Sequence, residues 1–404
     1  MQSDLEKFYK HQLIWICISV LYLTLLTILL IDSPLRADEN HNIATIKLFH
    51  DNFTLNQIKD YPEVTPPLFY FAYALWAKIF GFAIINLRLL SIVIAFMTFQ
   101  ALYSLSSIFI KNQLHNILIL LMIILNPYFI GISIFIYTDM ITIFFLILGV
   151  ISFIKGKYIL FFIGSSMALL TRQYAIILPL AIFSYLILEF LIQKKLNLKK
   201  FISASLSLLP ILILFFVWNG ITPPSGKERW IVEETLNFSF NYLNTYLTFS
   251  VIYIIPLLLI YLIRKFKFNI KEILIALAFT IVLSFFPVSI SKVTLLQTET
   301  KTVGFAHLFL TQIFHDELIL RLILLLFLFL SLWLNLILLK EYISQIKDRV
   351  LEKGLIFHLL WICFLVIMPL SYQVWEKYLT MVLPFYSLSI YLVFSVCDKV
   401  EGEL

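Results

Sequence analysis

Long apolar runs separated by short polar or basic segments recur along the chain. Several reach the roughly 18 to 20 residues that a helix needs to cross a hydrocarbon core, for example Gln12 to Ile31 and Leu322 to Leu339. Strict alternation of apolar and polar positions is absent, which argues against a transmembrane β-barrel. The pattern predicts an all-α polytopic membrane protein with about twelve spans, at 11–31, 86–110, 114–134, 138–154, 158–171, 174–193, 201–219, 249–263, 271–289, 319–340, 354–371 and 378–396. The first run follows a mixed-charge start and lacks a small-residue cleavage pattern, so it reads as a retained helix rather than a signal peptide.

Composition agrees with the pattern. With 61% hydrophobic residues, 13% charged residues and a mean hydropathy of +0.96, too little polar surface is left for a water-soluble globule. The net charge of +6 would suggest nucleic acid in a soluble protein. Here the cations sit in clusters between apolar runs, at Lys111, Lys155/Lys157, Lys194/Lys195 with Lys199/Lys200, Arg264/Lys265/Lys267/Lys271, Lys340 to Lys353, and Lys399. Basic loops mark the cytoplasmic side, which places both termini there and excludes nucleic acid as the expected partner. Leu68 to Ala83 is apolar enough to span, but counting it would reverse every later loop. It is therefore assigned to an interfacial or re-entrant helix bounded by Pro66-Pro67 and Gly81. The chain reads as one membrane domain over 1–404, with outer loops at 32–85, 220–248 and 290–318. Cys17, Cys363 and Cys397 lie in or beside apolar runs and imply no disulfide framework.

Once that topology is drawn, the polar residues that are costly near lipid collect on the outer side, where they mark a candidate site. Asp38, Glu39, Asn40 and His41 follow the first span, and Arg88 lies just inside the second. Tyr137, Thr138 and Asp139 cap a helix pair, and Thr171, Arg172 and Gln173 sit between two spans. The third outer loop adds Lys301, His307, His315, Asp316 and Glu317. Each has a plainer reading. The acidic pair solvates a loop, Arg172 snorkels to headgroups, and Asp139 is an N-cap. His307, His315 and Asp316 match no standard metal spacing, and no metal or other cofactor is expected.

An acid and cations at headgroup level suit transfer from a lipid-linked phosphate donor. The carboxylate takes a proton from an acceptor hydroxyl while a guanidinium stabilises the departing phosphate. A single base is enough for an inverting displacement, because a lipid phosphate is already a competent leaving group.

Arg36-Ala-Asp-Glu-Asn-His41, Phe49-His-Asp-Asn-Phe-Thr-Leu-Asn56, Tyr61-Pro-Glu-Val-Thr-Pro-Pro-Leu-Phe-Tyr70, Ile79-Phe-Gly81 and Leu87-Arg-Leu-Leu90 resemble the first outer loop of membrane glycosyltransferases that use polyprenyl-phosphate sugars. These form the GT-C superfamily. Within it the chain is most similar to the terminal α-1,2-glucosyltransferase of the N-glycan lipid-linked precursor, which uses dolichyl-phosphate glucose. Tyr137-Thr-Asp139, Arg172-Gln173, Asn219-Gly220 and Leu383-Pro384 extend the likeness along the chain.

The resemblance implies a GT-C fold and transfer of a hexose from a polyprenyl- or dolichyl-phosphate donor to a glycolipid or glycan acceptor on the extracytoplasmic face. It implies Asp38 or Glu39 as the base, with Asp38 preferred. Arg172, Arg88 and Lys301 become donor-phosphate ligands, and Tyr137, Asp139, Gln173 and His41 shape the site. The loop after Asn219-Gly220 lacks the His and Asp expected there, which leaves acceptor and sugar open. The expected location is a bacterial cytoplasmic membrane, or the endoplasmic reticulum membrane in a eukaryote. The competing expectation is a multi-helix transporter or flippase of lipid-linked sugars, which calls for mid-membrane charges and a repeat relating two halves.

Overall fold

The computed structural model describes residues 2–194, 197–230, 237–265, 269–297 and 301–401. Lys195 and Lys267, two members of the basic clusters, lie outside the described residues. Every regular element among the described residues is helical. Six helices are long and apolar enough to cross a membrane: Lys10–Leu30, Ile84–Phe109, Gln173–Gln193, Leu198–Trp218, Phe240–Leu259 and Glu317–Lys347. The bent pair Gln113–Ile124 and Pro127–Ile134 makes a seventh if it is taken as one span. The chain is thus a multi-pass integral membrane protein. Its first helix buries Trp15 and Leu23 yet leaves Leu21, Ile28 and Leu29 exposed, as a lipid-facing span must.

A helix stands over each of the twelve stretches drawn from the sequence, but several are too short to cross a hydrocarbon core unbroken. Thr138–Ile154 has 17 residues and Tyr158–Thr171 has 14. At 1.5 Å per residue these run roughly 25 and 21 Å, less than the hydrocarbon core. Polar and basic residues at both ends of this hairpin trim the helices to that length.

Local chemistry explains the breaks. Asn126 accepts a hydrogen bond from Tyr128 N and Pro127 occupies the first turn, so the chain turns through 73° between the two short helices. Leu68–Phe80 begins after Pro67 and stops at Gly81, whose φ of +90° suits glycine. Asn219, in the left-handed region, ends Leu209–Trp218.

The chain divides into two compact units, Met1–Pro179 with Asn197–Val232, and Leu180–Leu196 with Glu233–Leu404. In the first unit, Thr138–Ile154 and Tyr158–Thr171 form an antiparallel hairpin around the turn at Gly156. Gly164 lies against Gly149, where an added Cβ would meet backbone at 3.0 Å. Thr142 Oγ1 donates to Thr171 Oγ1 at 2.9 Å. This close pairing carries the start of one helix to the end of the other and so brings Thr138 and Asp139 beside Arg172.

In the second unit, the Trp361 and Tyr386 rings stack at 4.2 Å, and Asn335 bonds both side chains. Fully buried Glu376 accepts from the backbone N–H groups of Ala306 and His307 at 3.0 and 2.8 Å and from the Tyr253 hydroxyl. It thereby caps the helix Phe305–Ile313. Asp316 caps Glu317–Lys347 through Leu318 N and Ile319 N.

Candidate active site

The candidate site lies wholly within the first unit, around the turn that follows the first helix. Ala37 takes a φ of +39°, an uncommon conformation for a residue with a Cβ, and the helix Glu39–Asp51 starts immediately after it. The two acids at this point have opposite fates. Glu39 is fully buried. Its Oε1 accepts from Arg88 Nε at 3.0 Å and Ile136 N at 3.2 Å, and its Oε2 from Arg88 Nη2 at 2.7 Å and Arg36 N at 2.9 Å.

Arg88 also donates through Nη1 to the carbonyls of Ile31 and Ser33, both at 2.7 Å, and packs over the Phe135 ring. The end of the first helix is tied down by this one guanidinium. Arg88, expected from the sequence to hold phosphate, is saturated by protein groups.

Asp38 occupies the N-cap position but makes no capping bond to its own helix. Its side chain is 31% exposed, and Oδ1 lies 3.6 Å from His41 Nε2, an ion-pair separation rather than a hydrogen bond. His41 Nδ1 donates to Glu63 Oε1 at 3.0 Å. Burial alone pulls the imidazole toward neutrality, but the Asp38 and Glu63 carboxylates outweigh it and raise its pKa to about 9. His41 is therefore an imidazolium at neutral pH, between two carboxylates.

Glu63, itself 2% exposed, also accepts from Arg229 Nη1 at 3.1 Å. The helix carrying Arg229, Pro224–Trp230, docks on the 58–64 segment at several points. Ser225 N and Oγ donate to the two Asp60 carboxylate oxygens at 2.8 and 2.6 Å, and Trp218, at the end of the preceding helix, donates through Nε1 to Ile58 O at 2.8 Å. Gly226 sits so close that an added Cβ would lie 2.2 Å from the Glu63 carbonyl oxygen. Only glycine allows that approach. Trp230 then meets the His41 ring edge-on, centroids 5.0 Å apart.

The third group enters from the hairpin. Arg172 Nε donates to Thr138 Oγ1 at 2.6 Å, Nη2 to Asp139 Oδ2 at 2.9 Å, and Nη1 to the Tyr174 hydroxyl. Its side chain is 8% exposed, so it does not snorkel to headgroups. Asp139 is not an N-cap either: Tyr137 holds that position, and Asp139 lies in the first turn, fully buried. Gln173 joins the loops by donating to the Val64 and Ile221 carbonyls.

These groups form one electrostatic cluster. The Tyr70 phenol is pushed well above its ordinary pKa, chiefly by burial, with Glu63 and Asp38 adding to the rise and Arg172 opposing it. The Tyr137 phenol is raised by burial and by Asp38, Glu39 and Asp139, against Arg36, whose carbonyl accepts its hydrogen bond at 3.1 Å. Hydrogen bonds tie the segments together: the Tyr137 hydroxyl donates to Arg36 O, Asn42 Nδ2 to Ile136 O at 2.8 Å, and Gln173 Nε2 to Val64 O. His41 Nε2, Trp230 Nε1 and Asp139 Oδ1 are buried without a hydrogen-bond partner, an arrangement that a polar ligand would relieve.

Chemically, the cluster offers one partly exposed carboxylate for proton transfer, an adjacent imidazolium and a fixed guanidinium for anionic charge. Lys301 belongs to the second unit, where it is exposed. Sequence reasoning assigned no role to Glu63, Arg229 or Trp230. The only signals for them were an acid inside a proline-flanked segment and the charged run Lys227-Glu228-Arg229. No protein-family model, no curated protein and no solved structure matches the chain.

Proposed function

We propose that the chain is a GT-C type membrane glycosyltransferase with about twelve spans. On this reading it moves a hexose, glucose being favoured, from a polyprenyl- or dolichyl-phosphate donor to a lipid-linked oligosaccharide or other glycan acceptor. The observation that carries the reading is the division of labour between neighbouring acids. Glu39 is consumed by Arg88, whereas Asp38 is partly exposed beside a charged histidine, and the Tyr137–Arg36 and Gln173–Val64 hydrogen bonds tie this region to the hairpin that carries Arg172. That pairing of base and cation is what an inverting transfer from a lipid phosphate needs.

Asp38 takes the proton of an acceptor hydroxyl as that oxygen attacks the anomeric carbon from the face opposite the phosphate. The bond from the anomeric carbon to the phosphate oxygen breaks, and the electron pair leaves on the polyprenyl phosphate. Arg172, oriented by Thr138 and Asp139, faces the charge that builds there. The anomeric configuration inverts. Trp230 Nε1 and His41 Nε2 supply buried polar atoms suited to sugar hydroxyls.

The hairpin also supports an extracytoplasmic site. Thr138–Ile154 starts in the cluster and ends at the Lys155/Lys157 turn, and basic turns face the cytoplasm. The test is transfer of radiolabelled sugar from a panel of polyprenyl-phosphate hexoses to membrane lipids, with wild type and Asp38→Asn side by side. Wild type transfers one sugar, and the variant loses about a thousandfold while keeping its thermal midpoint. Transfer by neither protein, with movement of labelled lipid between leaflets, would replace this reading with a flippase.

A further inference from the structure

A groove of about 670 Å³ opens on the first unit between the helices Tyr158–Thr171 and Leu198–Ser207. Its walls include Ile159, Leu160, Phe162, Ile202 and Leu206, and one end carries Lys157 and Lys199. The volume falls in the range of sites that hold one ligand molecule.

The two helices run parallel, with their N-termini at the lysine end. Ser165 Oγ donates to Ser207 Oγ at 3.2 Å, and Ser166 Oγ donates to Ser207 O at 3.3 Å, which sets the register. Lys157 is eight residues before Ser165 (165 − 157), and Lys199 is eight residues before Ser207 (207 − 199). Both ammonium groups therefore start from the same depth, roughly 12 Å beyond the serine pair. Lys200, next along, lies over the Phe153 ring at 5.8 Å and adds a third positive charge at this end.

Helix N-termini carry partial positive charge and N–H groups without an i−4 acceptor, so two parallel N-termini reinforce the lysines. The apolar stretch below them has no charged lining residue. Ile159 and Leu160 are exposed at its rim. A molecule that matches both parts has one anionic head and an apolar tail.

We infer that this groove is a binding site for a single anionic glycerophospholipid, its phosphate between Lys157 and Lys199 and an acyl chain along Leu160, Ile202 and Leu206. The helix Thr138–Ile154 separates its lysine end from the candidate active site by roughly 25 Å, so the inference does not depend on the glycosyltransferase reading. A basic, apolar-floored cleft at a helix end selects headgroup charge, whereas a purely apolar cleft does not.

The test reconstitutes the full chain in nanodiscs of equimolar phosphatidylcholine and phosphatidylglycerol, then counts the lipids retained after gentle solubilisation by native mass spectrometry. Wild type retains phosphatidylglycerol over phosphatidylcholine by about tenfold. Lys157→Gln with Lys199→Gln removes the preference. Ile202→Trp, which fills the groove, lowers retention of both lipids. Wild type without a preference overturns the inference, as does a double variant that retains it.

Discussion

Arg88 grips both carboxylate oxygens of Glu39, at 3.0 and 2.7 Å, in a pair whose side chains are 1% and 0% exposed. Two parallel charge-assisted bonds in a buried setting are strong, and removing one partner strands the other charge away from water. Glu39→Gln and Arg88→Met are each expected to destabilise the protein by about 3–5 kcal/mol, and the double variant by less than the sum. Thermal unfolding in detergent measures this. An unchanged midpoint for Glu39→Gln would return Glu39 to contention as the base.

The same pair marks what the sequence could and could not reveal. The helix positions are legible because lipid demands continuous apolar length, and Pro66-Pro67 and Gly81 punctuate the helix Leu68–Phe80 as backbone geometry requires. Asp38 and Glu39 are adjacent acids with the same local signature. Their different environments depend on Arg88, 49 positions from Glu39, and on His41 and Glu63. Long-range pairing of this kind leaves no trace in local composition. Arg229 was illegible for the same reason, since its partner Glu63 lies 166 positions away.

Arg172 should be intolerant even of lysine. Its planar fork meets Thr138 Oγ1, Asp139 Oδ2 and the Tyr174 hydroxyl at once, and an ammonium on a flexible stem cannot reproduce that geometry. Under the proposed transfer reaction, Arg172→Lys is expected to lower kcat/KM for the polyprenyl-phosphate donor by about a hundredfold. Steady-state kinetics with donor and acceptor varied separately checks this. A fall confined to the acceptor would take Arg172 off the phosphate.

Gly226 tests the latch between Pro224–Trp230 and the 58–64 segment. Alanine there puts a Cβ 2.2 Å from the Glu63 carbonyl oxygen and 2.6 Å from its carbon, so the helix must lift. Lifting breaks the Ser225–Asp60 and Arg229–Glu63 contacts together. Overpacking of this kind costs about 1–3 kcal/mol. Faster hydrogen exchange over 58–64 in Gly226→Ala is the expected readout, and unchanged exchange there would mean that the latch is not rigid.

His41 makes stability depend on pH in a direction that the geometry fixes. Burial lowers its pKa, Asp38 and Glu63 raise it by more than burial lowers it, and the net folded value of about 9 stands above the ordinary 6.5. A group whose folded pKa is raised binds its proton more tightly when folded, so its stabilising contribution is complete below pH 6.5 and is lost as pH rises through about 9. Thermal midpoints of wild type should therefore fall across that window. His41→Gln keeps a hydrogen-bond donor toward Glu63 but cannot carry the charge, so its midpoint should be lower at pH 6.5 and should lack this decline. If wild type and His41→Gln decline in parallel between pH 6.5 and 9, the titrating group is another residue, and the charged His41 between Asp38 and Glu63 is not what holds this turn.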